Sequence, residues 1–330
     1  MTFTDTVVAN QRRKTMTLKE TPGYASRFNY LWHSNPKSKL RCKALFDKVH
    51  VRPALAEAWE IYQQIDASQH LRDSAWKIIQ KFEQKFNGQD NAAMCGGRTV
   101  QEATDAILIN KRETGDAIDQ AIESYNKYKP RTWDDGADAE KKDKYIDELE
   151  SVIKNAAAGL QEAMARDNQV TGEIEYLNTL PGTELPHNTR PDYNRRGDLK
   201  TKWSRINKKT KSGFSTGSLP SSLSGPFEQA ALYQVAGFWA CNGKLPPFLV
   251  YANATDYRIF DQGNTPELQN DYLQDVVNAI VRNHRTTEEI LKAAKDKAHL
   301  FRLVDPDFTN ICWADPPEII EEAHKVWGIG

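Results

Sequence analysis

The 330-residue sequence predicts an α/β fold, in which a mainly helical N-terminal region precedes a mixed central sheet flanked by helices. Three observations carry this. Apolar residues recur at helical spacing through roughly the first 165 positions. The pattern changes to strand-like alternation after about residue 170. Beyond a Ser/Gly/Pro-rich stretch, a helix then leads into an apolar strand.

Taken in order, residues 53 to 66 and 70 to 87 carry helical spacing, with Pro53 suited to a first turn and Asn87-Gly88 closing the second helix. A helix over about 101 to 128, interrupted near Gly115, shows the stripe Ile118, Ala121, Ile122, Tyr125. Another over about 139 to 166 places Tyr145, Leu149, Val152, Ile153 and Leu160 on one side. Residues 170 to 177 alternate, Leu180-Pro181-Gly182 turns, and a second strand occupies about 196 to 203, which reads as a hairpin or meander. The stretch 212 to 226 is a loop without a P-loop pattern. A helix at 226 to 241, strands at 248 to 254 and 256 to 260, a helix at 266 to 283 and a last one opened by the capping box Thr286-x-x-Glu289 complete the reading. The division expected is a basic helical region over 1 to 100 and a core with C-terminal helices over 101 to 330.

No apolar run approaches the roughly 18 residues of a membrane span, and the first residues lack a basic head followed by an apolar stretch. A cytoplasmic location is the resulting expectation, with no membrane partner. Cys42, Cys95, Cys241 and Cys312 form no C-x-x-C pair, and the seven histidines show no zinc spacing. Any metal would therefore be held by oxygen, which suits Mg²⁺ or Mn²⁺.

The net charge of −1 hides segregation. Residues 11 to 50 hold ten Lys/Arg against two acids, net +8, and residues 190 to 211 hold nine against two, net +7, so the remainder carries −16. Such a chain can present a basic groove to phosphates on an otherwise acidic body. Phe28, Tyr30 and Trp32 alternate within the first block, a pattern that serves base stacking or, equally, core packing.

The chemistry centres on Asp198-Leu199-Lys200. On a strand, Asp198 and Lys200 share one face while Leu199 takes the other. Glu173 and Glu175 obey the same parity on the preceding strand, so pairing of the two would bring three acids and a lysine together, with a cation to balance them. In order along the chain stand Gly115-Asp116-Ala117-Ile118-Asp119, Gly172-Glu173-Ile174-Glu175, Asp198-Leu199-Lys200-Thr201 and Gln229-Ala230-Ala231-Leu232-Tyr233. This succession resembles the RecB-like branch of the PD-(D/E)XK nuclease superfamily, which includes bacteriophage exonucleases. Its pattern is G-x-x-x-H on a helix, G-x-x-D and D-x-K-T on successive strands and Q-x-x-x-Y on a helix. The resemblance covers about residues 112 to 260. It departs at Asp119, where the family has histidine, and at Glu175, where it has aspartate. A literal Pro191-Asp192 also precedes Asp198, but only five residues separate the two acids, a cramped hairpin, so Glu175 is the preferred second acid.

The resemblance implies a restriction-endonuclease-like core and a Mg²⁺- or Mn²⁺-dependent deoxyribonuclease, exonucleolytic by analogy with its nearest relatives by pattern. It further implies Glu175, Asp198 and the Leu199 carbonyl as metal ligands with Asp119 as a further one. Lys200 would serve the attacking water and the developing charge, and Gln229 and Tyr233 would position DNA. Arg195, Arg196, Lys202, Arg205, Lys208 and Lys209 flank the acids and would neutralise phosphates of single- or double-stranded DNA. The rivals are a structure-selective endonuclease and a binding or assembly protein that has lost the chemistry. No interface of a homo-oligomer is legible.

Overall fold

The computed structural model describes residues 43–87, 91–130, 136–184, 186–206, 213–304 and 317–329, together with 306, 308 and 313. It is a mixed α/β structure, mostly helical. The chain forms two compact units: residues 1–89, 179–187 and 281–330 make one, and residues 90–178 and 188–280 the other. The boundary expected near residue 100 thus falls before the helix at 92, and the C-terminal helices group with the N-terminal ones rather than with the sheet. The N-terminal aromatic and basic stretch up to residue 42 lies outside the described residues.

In the first unit, a helical turn at Lys43–Phe46 and a π-helical segment Asp47–Val51 lead into α1 (Arg52–Gln63), with Pro53 in its first turn. α2 (Gln69–Asn87) packs against α1 through Ala58, Ala75 and Ile79. A second apolar cluster joins Phe46, Val51 and Phe82 to Leu300, Phe301, Trp313, Ile319 and Ala323 of the C-terminal segment.

The second unit is organised on α3 (Ala92–Leu108), α4 (Thr114–Asn126) and α5 (Ala137–Ala163). Asn91 caps α3 by accepting from Met94 N, and buried Asp138 accepts from Ala92 N. α5 buries Tyr145, Leu149, Val152, Ile153 and Leu160, the stripe expected from the sequence, and Ala156 with them. Its Gly159 lies so close to the sheet that a Cβ there would stand 2.8 Å from Val250 and 2.9 Å from Tyr257.

β1 (Tyr176–Thr179) pairs with β2 (Pro186–Thr189), and β4 (Arg205–Ile206) with β5 (Phe214–Ser215). The central sheet has the order β3 (Gly197–Thr201), β6 (Phe248–Ala252), β7 (Tyr257–Asp261). β3 and β6 are parallel and are joined by α6 (Pro226–Cys241), while β6 and β7 are antiparallel. The expected pairing of the 170–177 stretch with β3 does not form. Residues 171–174 instead run beside 191–194, through Ile174 N to the Pro191 carbonyl and Asn194 N to the Thr171 carbonyl. The two helices expected after residue 266 are one, α7 (Asn270–Ala293), and Thr286 lies inside it with its hydroxyl bonded to the Arg282 carbonyl rather than capping a start. α8 (Lys297–Leu303) and α9 (Pro317–Trp327) follow. No described helix is long and apolar enough to cross a membrane.

Candidate active site

Leu199 joins the core formed with α3 and α5, so strand alternation turns Asp198 and Lys200 to the opposite face. Register places Leu249 and Tyr251 of β6 beside them. α6 packs on this face: Gln234 Oε1 accepts from Lys200 Nζ at 3.4 Å, and Glu228 Oε1 lies 2.6 Å from Lys202 Nζ.

Asp198 is fully buried, and its carboxylate is hydrogen-bonded with the Asp192 side chain. Its charge is met by Lys200 Nζ, 2.5 Å from Oδ2. Burying a carboxylate, even beside an ammonium, costs desolvation free energy that apolar core packing does not. Lys200 remains about one-third exposed, so the ammonium is the part of the pair open to solvent.

The second acid is Asp192. Its Oδ2 accepts from Leu199 N at 2.9 Å and its Oδ1 from Gln101 Nε2 at 3.3 Å. Burial, then the neighbouring Asp198 charge and a hydrogen bond shared with that carboxylate, push the Asp192 carboxyl well above the usual carboxylate range, against the opposing pull of Lys200 and the Leu199 N–H. Asp192 and Asp198 come together because the connection between them is the tight turn that looked too cramped. Asn194 (φ 46°) and Arg195 (φ 63°) are both left-handed, the central pair of a type I′ turn in which Arg196 N donates to the Tyr193 carbonyl at 3.0 Å. Tyr193 and Gly197 pair across these three residues, with Gly197 N on the Tyr193 carbonyl at 2.7 Å. Asn194 tolerates this backbone and braces it by accepting from Thr171 N and donating to Asp167.

Helix α3 supplies the wall behind Asp192. Gly96 lets the helix lie against the Trp203 ring, and a Cβ on Gly97 would come within 3.2 Å of Thr201 Oγ1. One turn further on, Gln101 reaches Asp192, and Thr104 shares a 2.6 Å hydrogen bond with the Tyr193 hydroxyl. Behind Lys200, the Tyr251 phenol is pushed upward by burial and by the Asp198 and Glu228 charges.

Of the residues singled out in the sequence, Asp198 and Lys200 therefore stand together, and the others divide. Glu175 is exposed and pairs with Arg190 at 3.1 Å; Asp192 occupies the place beside Asp198 expected of it. Asp119 is exposed on α4, which packs on α3 and α5; the helix that reaches the acids is α3. Gln229 donates to the Ser224 carbonyl near the start of α6, Tyr233 is half-buried, and the side chain that meets Lys200 is the next residue, Gln234. Arg196 is held by both oxygens of Asp167 at 2.7 Å and lies over the Phe248 ring, so it braces the turn instead of extending into solvent. Arg195 is exposed and bonds the Tyr176 hydroxyl. Arg205 is exposed on β4, and Lys208 and Lys209 lie outside the described residues. Gln101, Gln234, Glu228 and Tyr251 carried no sequence signal of their own. The Gly97-to-Gln101 spacing on α3 places Gln101, the register of β3 with β6 places Tyr251, and the packing of α6 on this face places Glu228 and Gln234.

Comparison of the chain with protein-family models, curated proteins and solved structures finds no match.

The two adjacent carboxylates, Asp192 and Asp198, are oxygen donors of the kind a hard divalent cation takes. Mg²⁺ is commonly held by one or two carboxylates with water on its remaining positions. No cluster of three or more His, Cys, Asp or Glu suited to a metal occurs among the described residues, so the side-chain ligands would be Asp192 and Asp198 alone.

Proposed function

We propose that the protein is a Mg²⁺- or Mn²⁺-dependent deoxyribonuclease that hydrolyses phosphodiester bonds on a PD-(D/E)XK-type core. The observation that carries the reading is the meeting of Pro191-Asp192 with Asp198-Leu199-Lys200, in which two buried, adjacent carboxylates share one partly exposed lysine as counter-charge. Two adjacent buried acids beside a lysine whose ammonium reaches solvent support a cation-binding role. The parallel β3–α6–β6 connection also agrees with the core the sequence resembles.

When bound, the cation would supply Lewis-acid stabilisation of charge on the phosphate and a more acidic water. The chain's own residues do the rest. Asp192, fixed by the Leu199 N–H and the Gln101 amide, and Asp198, fixed by its strand, hold the cation where Lys200 can reach it. Lys200 leaves Asp198 for the substrate, orients the attacking water and offsets the negative charge that develops on the phosphoryl oxygens. Gln234 steadies the lysine during this exchange. The preference for exonucleolytic action rests on the resemblance to phage exonucleases and is fold-level analogy.

The experiment is digestion of labelled single- and double-stranded DNA, linear and closed-circular, with and without Mg²⁺. Wild-type protein should degrade linear DNA only with the cation, and Asp198→Asn and Lys200→Ala should each lose activity by about 10²-fold or more. Cleavage of closed circles would assign an endonuclease. Equal degradation by wild type and both variants, or none by any of them, would remove the nuclease reading and favour a binding protein.

A further inference from the structure

We infer that Lys202 is a second phosphate position of this site, taking the phosphate next to the one that meets Lys200, and that Glu228 is the counter-ion a nucleic acid strand displaces from it. The inference rests on the nuclease reading above and specifies how its substrate would lie.

Lys202 N donates to the Ala252 carbonyl at 2.8 Å, so residue 202 continues the β3 ladder one step beyond its last residue. Strand parity puts its side chain on the face of Asp198 and Lys200, and its contact with Glu228 of α6 agrees. Two residues along a strand span about 6.6 Å, close to the separation of neighbouring phosphates in one nucleic acid strand. A strand lying along β3 would thus meet an ammonium group at each of two successive phosphates.

Without substrate this ammonium is not idle. It sits 2.6 Å from Glu228 Oε1 and 5.1 Å from the centroid of the Tyr251 ring, and the pair is largely buried, at 14% and 11% side-chain exposure. A carboxylate on a lysine presents the same oxygen-to-ammonium contact that a phosphate would. Exchange is feasible for two reasons. Lysine carries its charge on a flexible stem that can extend into water. Glu228 lies in the first turn of α6, where the helix N-terminus favours a negative charge after the lysine has left. The site already concentrates acid at Asp192 and Asp198, so a polyanion needs a second cation beside Lys200 to approach, and Lys202 is the next one on that face of the strand.

The test is fluorescence anisotropy with a short labelled DNA strand in a chelator, so that nothing is cut, across a salt series. Lys202→Met combined with Glu228→Gln removes both charges while keeping their shapes, so neither charge is left buried alone. Relative to this double variant, wild type should bind about five- to tenfold more tightly at low salt, with a log Kd against log salt slope steeper by about 0.7 to 1. Glu228→Gln alone should bind more tightly than wild type. Equal slopes and affinities for wild type and the double variant would overturn the proposal, whether or not the melting temperature changes, as would a wild type that does not bind the strand. A wild type that shows the slope difference but cuts nothing with Mg²⁺ would defeat the nuclease reading and uphold Lys202 as a phosphate position.

Discussion

Asp192 and Glu175 are chemically almost the same residue, and what separates them is surroundings. Asp192 is buried, held by a backbone N–H and a glutamine amide, and set against a second acid; Glu175 is exposed and tied to a mobile-stemmed arginine. An exposed ion pair of that kind contributes little to stability. Asp192→Asn, assayed for Mg²⁺-dependent DNA degradation, should therefore fall with Asp198→Asn by about 10²-fold or more, while Glu175→Gln stays near wild type. The reverse outcome would return the second acid to the position the sequence pattern favoured. The reason it was misread is specific. A type I′ turn usually announces itself as Asn-Gly, and here the second left-handed residue is Arg195, so the sequence hides the hairpin that lets five residues join the two acids.

At the scale of elements, helix α5 and the central sheet approach through a glycine. Gly159→Ala would press a methyl group against Val250 and Tyr257, and overpacking of this kind costs about 1 to 3 kcal/mol. Chemical denaturation should show that loss with an unchanged slope against denaturant. An unchanged midpoint would mean that the helix can move away freely. Helices α1, α2, α4, α5 and much of α7 were legible from their apolar spacing, whereas the first turns of α3 and the short helices α8 and α9 were not read. The strand at 248–252 was legible because it is uniformly apolar and buried on both faces, as parallel strands are. Partners were not. The segment 170–177 alternates well enough to be a strand, yet only Tyr176 and Leu177 of it enter one, and they pair with β2. Alternation states which way side chains point and nothing about the neighbouring strand. The same limit explains Thr286, whose capping pattern is real in sequence but falls mid-helix, where its hydroxyl turns back onto the Arg282 carbonyl.

For the molecule as a whole, the two units carry different kinds of buried charge. The sheet-bearing unit holds the acids of the candidate site. The other holds a network in which Glu322 accepts from His50 and from Lys81 Nζ at 2.7 Å, and Lys297 Nζ lies 3.1 Å from His50 Nδ1. The His50 hydrogen bond foremost, with Lys81 behind it, lowers the Glu322 carboxyl from 4.5 to about 2 against the upward pull of burial. Burial holds the His50 imidazole below its ordinary 6.5, ahead of the opposing hydrogen bond to Glu322. Both groups take up protons more readily when unfolded, so both contribute stability that is lost on acidification. The His50 contribution is complete above about pH 6.5 and fades as pH falls below it; that of Glu322 is complete above about 4.5 and fades toward 2. Thermal unfolding followed across this range should show a falling midpoint. Glu322→Gln should flatten its lower part, and a midpoint that rises with acid would contradict the assignment.

The central claim is that Asp192 and Asp198 together hold a divalent cation, and binding of Mn²⁺ measured by electron paramagnetic resonance tests it without recourse to turnover. Wild-type protein and Glu175→Gln should bind the ion alike, and Asp198→Asn and Asp192→Asn should each lose that site. Binding that survives both substitutions, or that disappears with Glu175→Gln, would contradict the account.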